Sequence, residues 1–235
     1  MKSLYFQHPM VQALLNTKPG TWPAEPIDSR KPCKSQTRMV MKPQPILESG
    51  KPDFWHWNDC VWANGGLGFP ESGIADHAPH KVGDKLWVRE TWRCMGFDDG
   101  DHGFEDDDDG RRILVQYKDE TSQWVDFDDV TRWKKFAVCN AGWKPSIHMP
   151  HEAARLFLEV REVRVECLWS ISEDDARREG VEPEGIFTDF DGHENVCVGQ
   201  TAKEPFAELW NAIYGKGAWE SNPWVFVYGF MRVEG

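Results

Sequence analysis

Apolar residues recur along the chain with two periods, and each period predicts a different element. Leu86 and Val88 alternate with Trp87 and Arg89 after the turn-forming pair Gly83-Asp84, so residues 85–91 read as a strand. Alternation also runs through Leu156, Leu158 and Val160, then Val163, Val165 and Cys167, predicting one long or bulged strand. It returns from Trp224 to Val233 as a closing strand. Residues 113–117 and 124–127 flank a polar tip at Asp119-Glu120-Thr121-Ser122, as hairpin arms do. Leu4-Tyr5-Phe6 makes a β-like start, and the stretch Lys34 to Val40 leads into a strand. Helical spacing replaces alternation in three places. Pro9 opens a short run through Met10, Val11, Ala13, Leu14 and Leu15. Ser172 is an N-cap followed by acids, and Gly180 is a stop, giving a helix of about two turns. Phe206, Leu209, Trp210, Ile213 and Tyr214 repeat at i, i+3, i+4, i+7 and i+8 between Pro205 and Gly215.

Proline and glycine mark what lies between. Residues 17–33 contain Pro19, Gly20, Pro23, Pro26 and Pro32, which no regular element tolerates. Residues 43–80 return to Pro, Gly, Asn and Asp and read as a second surface excursion. With 94–142 and 182–203 these are expected as insertions in a single domain spanning residues 1–235, and 17–33 and 96–110 should lie outside its barrel. The pattern predicts an α+β fold, a mostly antiparallel β-barrel with two or three short helices.

Composition narrows the function. Hydrophobic residues at 40% supply a core, and thirteen Trp with thirteen Phe can fill a barrel interior or stack on bases. A formal charge of −12 argues against indiscriminate coating of a polyanion, so any nucleic-acid site must be local. Much of the acid falls in one run, Asp98 to Asp109, read as a solvated loop. The six cysteines are scattered with no CxxC pair, and the eight histidines are dispersed. Six free thiols, no structural zinc and no cofactor are therefore expected. No apolar run reaches the roughly 18 to 20 residues of a membrane span, so a soluble, cytoplasmic protein without a membrane partner is expected.

With the Pro-rich stretch set aside, Pro9 to Leu15 is followed by Lys34-Ser35-Gln36-Thr37-Arg38. This resembles the opening helix and the "G-x-K-T-x-T-R" motif of the ASCH family, with Ser35 in place of threonine and the motif glycine displaced. Gly83-Asp84 through Glu90, Trp143 through Pro150, residues 171–181 and Asn222 through Val227 are similar to the larger, phage-borne branch. The resemblance implies a PUA-like barrel and, by likeness to a bacterial acetylcytidine amidohydrolase, a catalytic set on Lys34, Thr37 and Glu179. A threonine hydroxyl needs a neighbouring base, a desolvated lysine serves as one, and a glutamate can carry a proton to the leaving amine. A structural ion pair between Lys34 and Glu179, with Thr37 capping a turn, is the competing reading. Arg38 is expected to meet a phosphate, and Lys144 and Arg89 offer further positive charge. Trp143 is placed to stack on a base, and Ser146 and His148 to bond its edge.

The leading expectation is a protein that recognises nucleic acid or a modified nucleoside and hydrolyses an acyl amide on cytidine. The alternatives are a ribonuclease, with Lys34 stabilising phosphorane charge, and a non-enzymatic phage protein whose acidic surface binds a host factor. The partners expected are thus RNA, a modified nucleoside or a host protein.

Overall fold

Segments with alternating apolar residues fold as strands, and those with helical spacing fold as helices. The computed structural model describes residues 2–6, 8–49, 54–57, 60–63, 71–98, 111–137, 142–181, 184–188, 194–198 and 201–235. The elements begin with β1 (Lys2–Tyr5), α1 (His8–Leu15), β2 (Gln36–Val40), β3 (Ile46–Leu47), β4 (Phe54–Trp57), β5 (Cys60–Ala63) and α2 (Glu71–Ala75). Next come β6 (Lys85–Arg89), β7 (Trp92–Asp98), β8 (Arg111–Tyr117), β9 (Ser122–Phe127), α3 (Val130–Phe136) and β10 (Phe157–Cys167). The chain ends through α4 (Glu173–Arg178), β11 (Glu184–Thr188), β12 (Glu194–Val198), α5 (Lys203–Tyr214) and β13 (Trp224–Val233). The fold is α+β and strand-rich, with strands in several sheets and few helices; among the described residues no sheet closes into a barrel. No helix among them is long and apolar enough to cross a membrane.

The chain divides into two compact units. The first comprises Met1–Gln12, Lys85–Leu158 and Glu234–Gly235, the second Ala13–Asp84 and Glu159–Val233. In the first, β1 runs parallel to β6, with Leu4 opposite Val88. β7, β8 and β9 form an antiparallel meander with a register shift between Cys94 and Gly96. Ile113, Val115, Tyr117 and Phe127 alternate inward from it onto Trp92 and onto Trp133 of α3, whose N-terminus is capped by Asp129. The described parts of 94–142, expected as an insertion, thus build this unit's own core.

Cys94 corrects a second expectation, that of six free thiols. It is disulfide-bonded, whereas Cys33 and Cys167 keep their thiols. Sequence spacing does not report which thiols a folded chain brings within bonding distance.

In the second unit β13 lies between β10 and β2. The β13–β2 pairing is antiparallel, from Val225 opposite Val40 to Gly229 opposite Gln36. Residues 17–33 hold no helix or strand, only one bridge between Thr17 and Pro26. Asn16 fastens this stretch by donating to the carbonyls of Asp28, Lys31 and Pro32. Residues 43–80 differ from the surface excursion expected: Trp57, Ile74, Ala78 and His80 are buried. Trp57 donates to the Pro43 carbonyl and meets Phe226 edge-on at 5.5 Å. Strands of two to four residues are too short for alternation to register, so proline and glycine dominate the sequence signal there.

Candidate functional site

Successive side chains of a strand point to opposite faces, and this fixes the site in the second unit. Gln36 and Arg38 share one face of β2, opposite Gly229 and Val227 of β13. Glu162, Arg164 and Glu166 share a face of β10 by the same alternation. Gly229 is tightly hemmed: a Cβ there would stand 2.6 Å from Trp22 and 3.0 Å from the Glu162 Cβ. Helix α4 adds Asp175 and, at its C-cap, Glu179. Its N-cap Ser172 accepts from the Asp175 amide, and Gly180 ends it at φ 87°. Beyond the helix end, the Ser35 amide donates to the Arg178 carbonyl at 2.9 Å, which anchors the motif against α4.

These elements converge on Glu179. Lys34 Nζ donates to Glu179 Oε2 at 2.9 Å and to the Glu179 carbonyl at 2.8 Å. Arg38 donates to Glu179 Oε1 at 2.9 Å, to Glu166 at 2.6 Å and to Asp175 at 3.3 Å. Arg164 completes the network through Asp175 at 2.8 Å, Glu162 at 3.0 Å and Glu166 at 3.2 Å. The Arg38 guanidinium lies 5.9 Å from the Phe206 ring centroid. Side-chain exposure is 0% for Lys34 and Arg38 and 3% for Glu179.

Burial pulls the Lys34 ammonium below its usual range; the charge and hydrogen bond of Glu179 oppose that, and Arg38 adds to it. Burial alone would raise the Asp175 carboxyl, but the hydrogen bond and charge of Arg164, then Arg38, hold it below the usual range. The Tyr214 hydroxyl is pushed up by burial and by the charge of Glu179, and the Val40 backbone hydrogen-bonds to it.

The structure therefore brings Lys34, Arg38 and Glu179 together, sealed from solvent. It sets Thr37 on the opposite face of β2 from Arg38. Thr37 is paired with Tyr228, whose ring meets His80 edge-on at 5.3 Å. Arg38, expected to meet a phosphate, is occupied by three carboxylates. Sequence reading missed Arg164, Glu166 and Asp175. The signal was present in the charged alternation Glu162, Arg164, Glu166 within a long strand.

Trp143, Lys144, Ser146 and His148 belong to the first unit. An antiparallel bridge between Trp92 and Lys144 holds their segment. The Trp143 ring, 37% exposed, has Lys118 Nζ 4.3 Å and the Arg93 guanidinium 4.7 Å from its centroid. Lys144 Nζ lies 4.7 Å from the Trp92 ring, and burial lowers the pKa of that ammonium. Ser146 is buried at the start of a 3-10 turn, and His148 is exposed at its end. This unit also holds a charge cluster absent from the sequence reading. Arg155 binds both Glu90 oxygens at 2.9 and 2.6 Å, pairs with Asp119 at 2.9 Å, and packs over Tyr117 at 3.9 Å. Burial raises the Glu90 carboxyl despite Arg155.

Among the described residues no group of three or more His, Cys, Asp or Glu is placed to hold a metal. Comparison with protein-family models, with curated proteins and with solved structures finds no match to this chain.

Proposed function

We propose that this protein recognises a modified nucleoside or nucleic acid through a PUA-like fold of the ASCH kind, and hydrolyses an acyl amide on cytidine. One observation supports the reading: Lys34, in the motif that resembles the family's, holds a fully buried ammonium against Glu179, 145 positions away. Desolvating an ammonium is expensive, and strongly perturbed charged pairs concentrate at functional sites. In the proposed reaction Lys34, in its neutral form, takes the proton of the attacking hydroxyl. Arg38 holds one Glu179 oxygen, so the other is left to exchange a proton with Lys34 and pass it to the departing cytosine amine. Thr37 faces away from this pair across β2, so the attacking hydroxyl is that of a water: its addition to the acyl carbon and the loss of the amine release cytidine and the free acid in one hydrolysis.

Acetate release from an acetylated cytidine nucleoside, followed by mass spectrometry, tests this. The wild-type protein should turn it over, and Glu179→Gln, which keeps the shape and loses the charge, should slow turnover about a hundredfold or more. Thr37→Ala should leave turnover nearly unchanged; its loss in that variant would reassign the attack from water to the Thr37 hydroxyl. No turnover and no binding of the nucleoside by the folded wild type would overturn the proposal.

A further inference from the structure

The first unit contains a pocket of about 320 Å³, formed by β6, α3 and the turns Ser146–His148 and His151–Ala153. That volume falls at the lower end of the range for small-molecule sites. Its wall is aromatic. Trp87 and His151 meet edge to face at 5.2 Å, and Phe136 stacks on Phe127 at 5.8 Å and touches Trp92 at 6.0 Å, so the wall is rooted in this unit's core. Its charge is positive: Arg132 and Lys135 lie one turn apart on α3, a spacing that puts both on one helix face. Glu152 grips the Arg132 guanidinium through both oxygens at 2.8 Å and holds it in place. Lys135 Nζ lies 5.5 Å from the Phe136 centroid, and among the described residues no carboxylate bonds it. His148 and His151 supply ring nitrogens at the exposed edge.

We propose that this pocket binds a nucleoside monophosphate unit, with the base against Trp87 and Phe136 and the phosphate against Lys135 and Arg132. A flat π-system beside fixed cations matches the two parts of a nucleotide, since bases stack on aromatic side chains and phosphates take charge-assisted hydrogen bonds. The protein's charge of −12 repels polyanions at long range and leaves such a local cationic pair as the recognition element. None of the pocket's residues belongs to the Lys34–Glu179 network, so this site stands or falls independently of the hydrolytic reading. The same unit occurs free and at the phosphorylated 5′ end of an RNA, and one chemistry would recognise both.

Titration calorimetry with cytidine and adenosine monophosphates, the parent nucleosides, inorganic phosphate and a short 5′-phosphorylated oligoribonucleotide tests the proposal. Each monophosphate should bind saturably, and each nucleoside or phosphate alone about tenfold more weakly or worse. Lys135→Glu, at an exposed position that leaves the fold intact, should weaken monophosphate binding at least about tenfold. Trp87→Ala should do the same. Tighter binding of the oligoribonucleotide than of the free monophosphate would identify an RNA end as the ligand, and the reverse a free nucleotide. Absence of saturable monophosphate binding, or binding unaffected by Lys135→Glu, overturns the proposal.

Discussion

Lys34 is the residue at which folding and chemistry meet. An ammonium with no exposed side-chain surface persists because Glu179 supplies two acceptors, a carboxylate oxygen and a backbone carbonyl. Lys34→Met removes the cation and leaves Glu179 buried with Arg38 alone, so it should lower unfolding stability by about 3–5 kcal/mol in a urea titration. The double variant Lys34→Met/Glu179→Leu should regain most of that loss, because neither partner is then stranded. Gly180 adjoins the same pair. At φ 87°, with a Cβ 2.9 Å from the Ala13 Cβ and 3.3 Å from the Lys34 Cβ, Gly180→Ala should cost about 1–3 kcal/mol. Asp175 carries the pH dependence. Its folded pKa lies below the ordinary 3.8, so its stabilisation is complete above that value and is lost as pH falls through the folded one. Arg164→Leu removes the main opposing charge and raises that pKa. The acid limb of thermal melting points collected against pH should then move to higher pH, and an unmoved limb would show that another group sets it.

At the scale of elements, α4 is the most legible piece of the chain. Ser172, the acids after it and Gly180 specify its two ends locally, and the structure has the helix at Glu173–Arg178 with Ser172 bonding the Asp175 amide. Ser172→Ala should cost about 0.5–2 kcal/mol, read as a lower urea midpoint at unchanged slope. The long strands at Phe157–Cys167 and Trp224–Val233 were equally readable as strands, but in the second Val225 to Phe230 are buried on both faces where the sequence predicts alternation. The region 43–80 was not. Its short strands contribute Trp57 to the core, yet only contacts with distant residues such as Phe226 distinguish it from a loop. The face of Thr37 was illegible for a related reason: the motif spacing names the residue but not the side of the strand.

For the whole molecule, the strand-rich α+β class and the spread of helices followed from periodicity, while the division into two compact units did not. Each unit gathers segments far apart in the chain, which periodicity along the sequence does not report. Cys94 gives a direct check. One disulfide takes two of the six cysteines, so thiol titration of the denatured, unreduced protein should find no more than four; a count of six would contradict the Cys94 bond. By itself the sequence determined what neighbours along the chain can determine: caps, turns, the period of each segment and the residue types that can carry a proton or a phosphate. Tertiary structure alone decided that Lys34 meets Glu179 and is closed off from water, that Thr37 turns toward Tyr228, and that Trp87, Lys135 and His148 line one pocket. The reason is that these pairings depend on register and strand order, set by many weak contacts between distant residues, and slipping a strand by one residue would exchange its two faces.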